Sequence, residues 1–230
     1  MISNRKEMQR TRMWHYFLGA ATEIMEEEGI DHVTIRKIAD RAGFTSSTAY
    51  NYFKDVTHLK FFAAMRFTTG YMEDLPSYMD KGNNTLEKWL YSWECFCHHS
   101  FQQPKIYSVI FIENLGSIAA DMLNDYYQIY QHDLIGLPKP IQSIIMEHDF
   151  SKRSSSYLQH IAEEGFIETK DVALIADITL MLWKGMMSTF MNQRRLYTVE
   201  EATDQTLHYI YESVIRMVHK DKQEEVNFRW

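Results

Sequence analysis

Between Thr34 and Phe53 the chain reads TIRKIADRAGFTSSTAYNYF, two short helical segments hinged at Gly43, the second polar on its outer side. Thr34 suits an N-cap, its hydroxyl accepting from a free N–H at the start of a helix over residues 35–42, and Gly43 can take the left-handed conformation that ends it. Thr45 is a second N-cap. Ile38, Ala42, Phe44, Ala49 and Phe53 then form one inner surface, and Ala39 is small enough for the second helix to cross closely over the first. Ser46, Ser47, Thr48 and Asn51 are left pointing outward. A helix-turn-helix lays its second helix in the major groove with residues near its N-terminus against base edges, which suits short hydroxyl and amide side chains; Tyr50 and Tyr52 suit phosphates.

The segment before it supplies a third helix. Trp14, Phe17, Leu18, Ala21, Ile24 and Met25 recur at three- and four-residue spacing, an apolar stripe that stops at Gly29. Ahead of that helix Arg5, Lys6, Arg10 and Arg12, opposed only by Glu7, read as a basic N-terminal arm able to reach phosphates or a minor groove.

Residues 20–55, AATEIMEEEGIDHVTIRKIADRAGFTSSTAYNYFKD, resemble the TetR family of bacterial transcription regulators: Gly29, Thr34, Ile38, Ala39, Ala42, Gly43, Thr48, Tyr50, Tyr52 and Phe53 fall where that pattern has them. The resemblance implies that Thr34 and the N-terminal end of the Thr45 helix lie against phosphates, that Ser46, Ser47, Thr48 and Asn51 face bases, and that Tyr50 and Tyr52 hold the backbone. Two positions depart from the pattern. The lysine usual at the start of the fourth helix is Val56, leaving Lys54 or His58 to compensate, and the large aliphatic residue usual before the tyrosine is Ala49. The expected architecture is all-α, with a three-helix DNA-binding domain over residues 1–55 and a helical effector-binding and dimerisation domain over residues 56–230.

Charge is divided accordingly. The net charge of −7 looks wrong for a DNA binder, but residues 1–60 carry 9 Lys and Arg against 8 Asp and Glu, and residues 61–230 carry 15 against 23. A hydrophobic share of 45% suffices for a sizeable core in the larger part. A long fourth helix is expected from Val56 to about Met72, followed by an apolar stripe over residues 86–101 that is capped near Asn84, with Pro104 opening the next helix. IGLPKPIQ, residues 135–142, is the clearest break.

In the larger part, aromatic and sulfur side chains suggest an apolar pocket for a small molecule, with Trp93, Cys97, Phe101, Tyr107, Phe111, Tyr126, Tyr127, Trp183 and Met187 as lining candidates. Glu113 and Asn114 end an apolar run, and since an inward carboxylate is costly unless paired, it either faces solvent or orients a polar or cationic ligand group. Leu174, Ile178, Met181, Leu182 and Gly185 lie along one side of a helix beginning near Asp171, and Leu207, Ile210, Tyr211, Val214 and Met217 along the next. In the family resembled, these two helices pair with their copies as a four-helix homodimer interface, and most members repress by occluding a promoter.

The cluster ECFCHH, residues 94–99, raises the alternative of a metal-binding helix bundle or enzyme, since Cys95 and His99, or Glu94 and His98, share a helical face. It is incomplete: there is no CxxC pair, HExxH, nucleophile motif or phosphate-cradling glycine loop, so no enzyme activity, cofactor or metal is expected. The N-terminus has no apolar signal segment, and the apolar runs are read as too short or interrupted for a membrane span; a cytoplasmic protein is the expectation.

Overall fold

The computed structural model describes residues 2–53, 56–113 and 150–229. Among these the regular structure is helical, apart from one isolated antiparallel bridge between Ile167 and Val218. The chain divides into two compact units, residues 1–69 with 105–131, and residues 70–104 with 132–230.

The first unit holds α1 (Ile2–Glu28), α2 (Ile35–Ala42), α3 (Ser46–Tyr50), α4 (Val56–Arg66) and most of α7 (Pro104–Phe111). Its core is the α1 stripe: Trp14, Phe17, Leu18, Ala21 and Ile24 are buried together with Ile38, Ala39, Ala49, Phe53, Leu59 and Phe62. Trp14 meets Phe53 at 4.9 Å and Phe62 at 5.1 Å between ring centroids, so one indole ties the end of the helix-turn-helix to α4. The basic arm expected ahead of the first helix is instead its opening turns, because α1 already begins at Ile2.

The expected long fourth helix is also divided. Past Arg66 the backbone bonds shorten to three-residue steps, Phe67 to Ala64 and Thr68 to Met65, and the hydroxyls of Thr68 and Thr69 donate back to the carbonyls of Met65 and Arg66. Hydroxyls that take up carbonyls in this way compete with the helical ladder. A new helix, α5 (Thr69–Met79), follows.

The second unit consists of α5, α6 (Thr85–Gln102), α8 (Phe150–Glu163), α9 (Val172–Met191), α10 (Val199–Ile215) and the short α11 (Lys220–Gln223). Helix α6 packs mainly on α10, and α8 on α9. Asn84 caps α6 by accepting from Glu87 N at 2.8 Å. Thr198 opens α10 with a full capping box, accepting from Glu201 N while the Glu201 carboxylate takes Thr198 N. Residues 169–191 form a stretch of 23 residues that contains an 18-residue window of mean hydropathy 1.3, enough by length and composition alone to cross a bilayer. One face of it is nevertheless core: Ile175, Ala176, Thr179, Trp183 and Met187 are buried inside the unit.

Candidate nucleic-acid interface

Local chemistry fixes the helix-turn-helix. Thr34 is extended (φ −131°, ψ 152°) and its hydroxyl accepts from Lys37 N at 3.3 Å. Gly43 adopts φ 78°, ψ 26°, the left-handed geometry that costs a side-chain-bearing residue free energy, and Phe44 N then closes on Ala39 O at 2.8 Å. Two residues on, the Thr45 hydroxyl accepts from Thr48 N at 3.3 Å and lies 3.0 Å from the Thr48 hydroxyl. The result is a five-residue helix, α3, anchored by the fully buried Ala49 and by Phe53. Ala49, where the family pattern has a larger residue, puts only a methyl group between α3 and the core.

Exposure across the polar face of α3 is uneven. Ser47 and Asn51 are exposed, Ser46, Thr48 and Tyr52 are half-buried, and Tyr50 is 54% exposed. Phe44, expected inside, is half-buried and packs between Tyr16 and Phe17 at 5.9 and 5.5 Å. Thr34, at the start of α2, is exposed.

Several cations of this unit are held by its own carboxylates. Lys37 reaches Glu28 at 2.5 Å and Arg41 reaches Glu27 at 2.7 Å, joining α2 to α1. The hydrogen bond from Lys37 lowers the Glu28 carboxyl below its usual range, and the bond to Glu27 raises the Arg41 guanidinium. Lys105 is bonded to Asp31, whose carboxyl is lowered in turn. His58, expected as a substitute phosphate contact, is corrected: it is only 6% exposed and belongs to the interior of α4. Lys54, the other substitute, lies outside the described residues.

The effector candidates are distributed over both units. Trp93, Cys97, Phe101, Trp183 and Met187 are all buried in the second unit. Phe96 lies 5.0 Å from Trp183, Phe101 lies 5.3 Å from Phe190, and the Trp183 indole N–H donates to the Ser100 hydroxyl at 2.9 Å. Tyr107 and Phe111, 5.8 Å apart, belong to the first unit, where Glu113 is exposed rather than turned inward. Asn114, Tyr126, Tyr127 and the 135–142 break lie outside the described residues.

The dimer candidates separate by helix. On α9, Met181 is 69% and Leu174 is 49% exposed, Gly185 is exposed, and Ile178 and Leu182 are half-buried. On α10 the assignment is corrected for Leu207, Ile210 and Val214, which are buried within the chain's own core. Tyr211 stacks on Phe228 at 6.1 Å, and Met217 is half-buried. The apolar period of α10 marks the face turned to its own unit.

The residues of the ECFCHH cluster go to separate partners. Glu94 pairs with Lys81 at 3.3 Å, the Cys95 thiol donates to Tyr71 O at 3.8 Å, His98 Nε2 lies 2.8 Å from the Gln102 side chain, and His99 Nε2 lies 3.0 Å from Asp74 Oδ2. Burial pushes both thiols upward, away from the thiolate a metal ligand or nucleophile requires. Among the described residues no three His, Cys, Asp or Glu side chains converge on a metal position.

Comparison with known proteins agrees with this geometry. Residues 17–59 match the family model described as bacterial regulatory proteins, tetR family. A search of curated protein sequences gave no match. Among solved structures, the chain is similar to RolR in complex with resorcinol, at 19% identity over 96% of this chain and 94% of that one, with a TM-score of 0.58. It is also similar to FadR of Thermus thermophilus, a transcriptional repressor in complex with lauroyl-CoA (13% identity, 86% and 93% covered, TM-score 0.55). A regulator from Pectobacterium atrosepticum matches at 12% identity over 93% and 97%, with a TM-score of 0.59. At these identities the structures speak for the fold, while the family model speaks for the amino-terminal helices. The family model thus places residues 17–59 with the bacterial regulatory proteins of the tetR family, and the solved structures show that the chain shares their helical fold.

Proposed function

We propose that this protein is a dimeric, cytoplasmic repressor that occupies a palindromic operator and releases it on binding a small, largely apolar or aromatic effector. The observation that carries the reading is the capped α2–α3 pair, which buries Ala49 and Phe53 while turning Ser46, Ser47, Thr48, Tyr50 and Asn51 outward. Residues 1–55 carry the DNA contacts in this reading: Ser46, Ser47, Thr48 and Asn51 to bases, and Thr34, Thr45, Tyr50, Tyr52 and Lys54 to the backbone. Residues 56–230 carry effector binding and self-association.

The α9 stripe of Leu174, Ile178, Met181, Leu182 and Gly185 is the self-association face. Gly185 has no neighbour among the described residues near where a Cβ would stand, leaving room for another helix to approach closely. Two heads joined in this way read two half-sites about 34–36 Å apart, one DNA turn. The apolar character of the effector is supported by the aromatic second unit and by the bound molecules of the two neighbours, resorcinol in RolR and lauroyl-CoA in the Thermus thermophilus protein.

Selection of bound duplexes from a random pool tests the reading. A palindromic consensus is expected, Ser47→Ala and Asn51→Ala shifting the preferred base, and Tyr52→Ala weakening all sequences about equally. Unaltered affinity and preference in all three variants would refute the assigned recognition face.

A further inference from the structure

Lys105, in the first turn of α7, is hydrogen-bonded to Asp31 in the short turn Ile30–His32 that joins α1 to α2. The pair spans 74 positions of sequence and brings α7 to the entrance of the helix-turn-helix. Asp31 stands shortly before Thr34, the cap of α2, and Ile30 and Val33 on either side of it are buried in the core of the first unit. A pull at Asp31 therefore acts on the whole helix-turn-helix rather than on a loose loop. Helix α7 is anchored in the same unit, with Tyr107 and Val109 buried. Behind it, Gln103 alone separates α7 from α6, the helix of the second unit that carries the buried effector candidates Trp93, Cys97 and Phe101. Pro104 stiffens that joint by fixing its own φ and narrowing the choices of Gln103.

We infer that the Lys105–Asp31 pair is a catch that holds the helix-turn-helix in its operator-binding arrangement, and that its release is the step by which the state of α6 and α7 reaches DNA. This rests on the proposed DNA-binding role and adds its regulation. Lys105 and Asp31 are positioning residues, since neither belongs to the surface assigned to DNA. Their side chains are 63% and 64% exposed, and an ion pair in such a setting is worth at most a factor of about five. Weakness suits a catch, because an effector can undo it with a modest difference in affinity between the two states. Lys60 also acts on Asp31 by charge, without a hydrogen bond, so both ends of the pair must be varied to assign the effect to Lys105.

The test is operator affinity beside thermal stability, measured on the full chain with a palindromic duplex selected from a random pool. A pair made equally in both arrangements would, when broken, lower the melting temperature and leave affinity alone; a catch must change affinity. Lys105→Gln and Asp31→Asn should each weaken binding about threefold per head, or about tenfold for a palindrome held by two, without changing the preferred sequence. Asp31→Asn is the sharper variant, since it removes a negative charge and simple attraction to phosphates would make it bind more tightly. The double variant should be no weaker than either single one, because each already breaks the pair, and Asp31→Lys with Lys105→Asp should restore affinity. Unaltered affinity in both single variants, tighter binding by Asp31→Asn, or a swap that restores nothing would overturn the catch while selective binding by the unmutated chain stood. No sequence-selective binding by the unmutated chain would instead overturn the proposed function.

Discussion

Glu87 is fully buried, yet its carboxylate is saturated by donors. Asn227 N approaches one oxygen at 2.6 Å, and Asn83 N and the Asn83 side chain approach the other at 2.7 and 3.3 Å. Asn84 Nδ2 adds a bond to Glu225 O at 3.1 Å, and Phe228 lies 4.8 Å from Tyr91, so the first turns of α6 clasp the carboxyl-terminal segment. A buried carboxylate is tolerated when backbone N–H groups surround it, and removing it leaves those donors without an acceptor. Glu87→Ala should cost about 3 kcal/mol in urea unfolding, with Glu87→Gln intermediate because it keeps one acceptor oxygen. An unchanged midpoint for Glu87→Ala would remove the clasp from the account. The caps Thr34, Thr45 and Asn84 and the turn at Gly43 were legible in the sequence because each is completed by atoms within a few residues. The role of Glu87 was not, because its partner Asn227 is 140 positions away.

Helices α9 and α10 show what periodicity resolves at the scale of an element. Both carry apolar residues at three- and four-residue spacing, and the pattern alone cannot say whether the covering surface belongs to the same chain. In α10 it does: Leu207, Ile210 and Val214 are core, and the exposed side carries His208 and Tyr209. In α9 a core face of Ile175, Thr179, Trp183 and Met187 coexists with an apolar outer stripe. Only burial separates the two. Leu174→Glu with Met181→Glu should therefore weaken self-association by roughly a hundredfold, at about 1.4 kcal/mol for each factor of ten, while leaving the melting temperature nearly unchanged. Sedimentation velocity across a concentration series reads this. A dimer that persists at wild-type concentrations would place the interface elsewhere, and Leu207→Glu, at a buried position, should unfold the chain and so mark the difference between core and surface.

For the molecule as a whole, the proposed switch needs the effector and the operator to favour different states of one dimer. The amino-terminal helix-turn-helix was legible from residues 20–55, where local spacing dictates local structure. The effector residues were less so, since aromatic spacing along a helix has the same signature in a packed core as in a pocket. Trp183 illustrates this: it is fully buried, packed at a tilt against Phe96 and bonded to Ser100, so truncation to alanine would remove core packing along with any effector contact. Met187→Leu, which nearly conserves volume, is the cleaner probe, and in this account it changes effector affinity while sparing operator affinity. Linkage supplies the stricter test. If a saturating aromatic effector weakens operator binding by some factor, saturating operator must weaken effector binding by the same factor, whatever path connects the sites. Titrations in both directions on the unmutated dimer should agree, and Leu174→Glu with Met181→Glu should lower affinity for the full palindrome far more than for an isolated half-site. An effector that binds tightly but leaves operator affinity unaltered would break the switch, because a ligand with equal affinity for both states shifts neither.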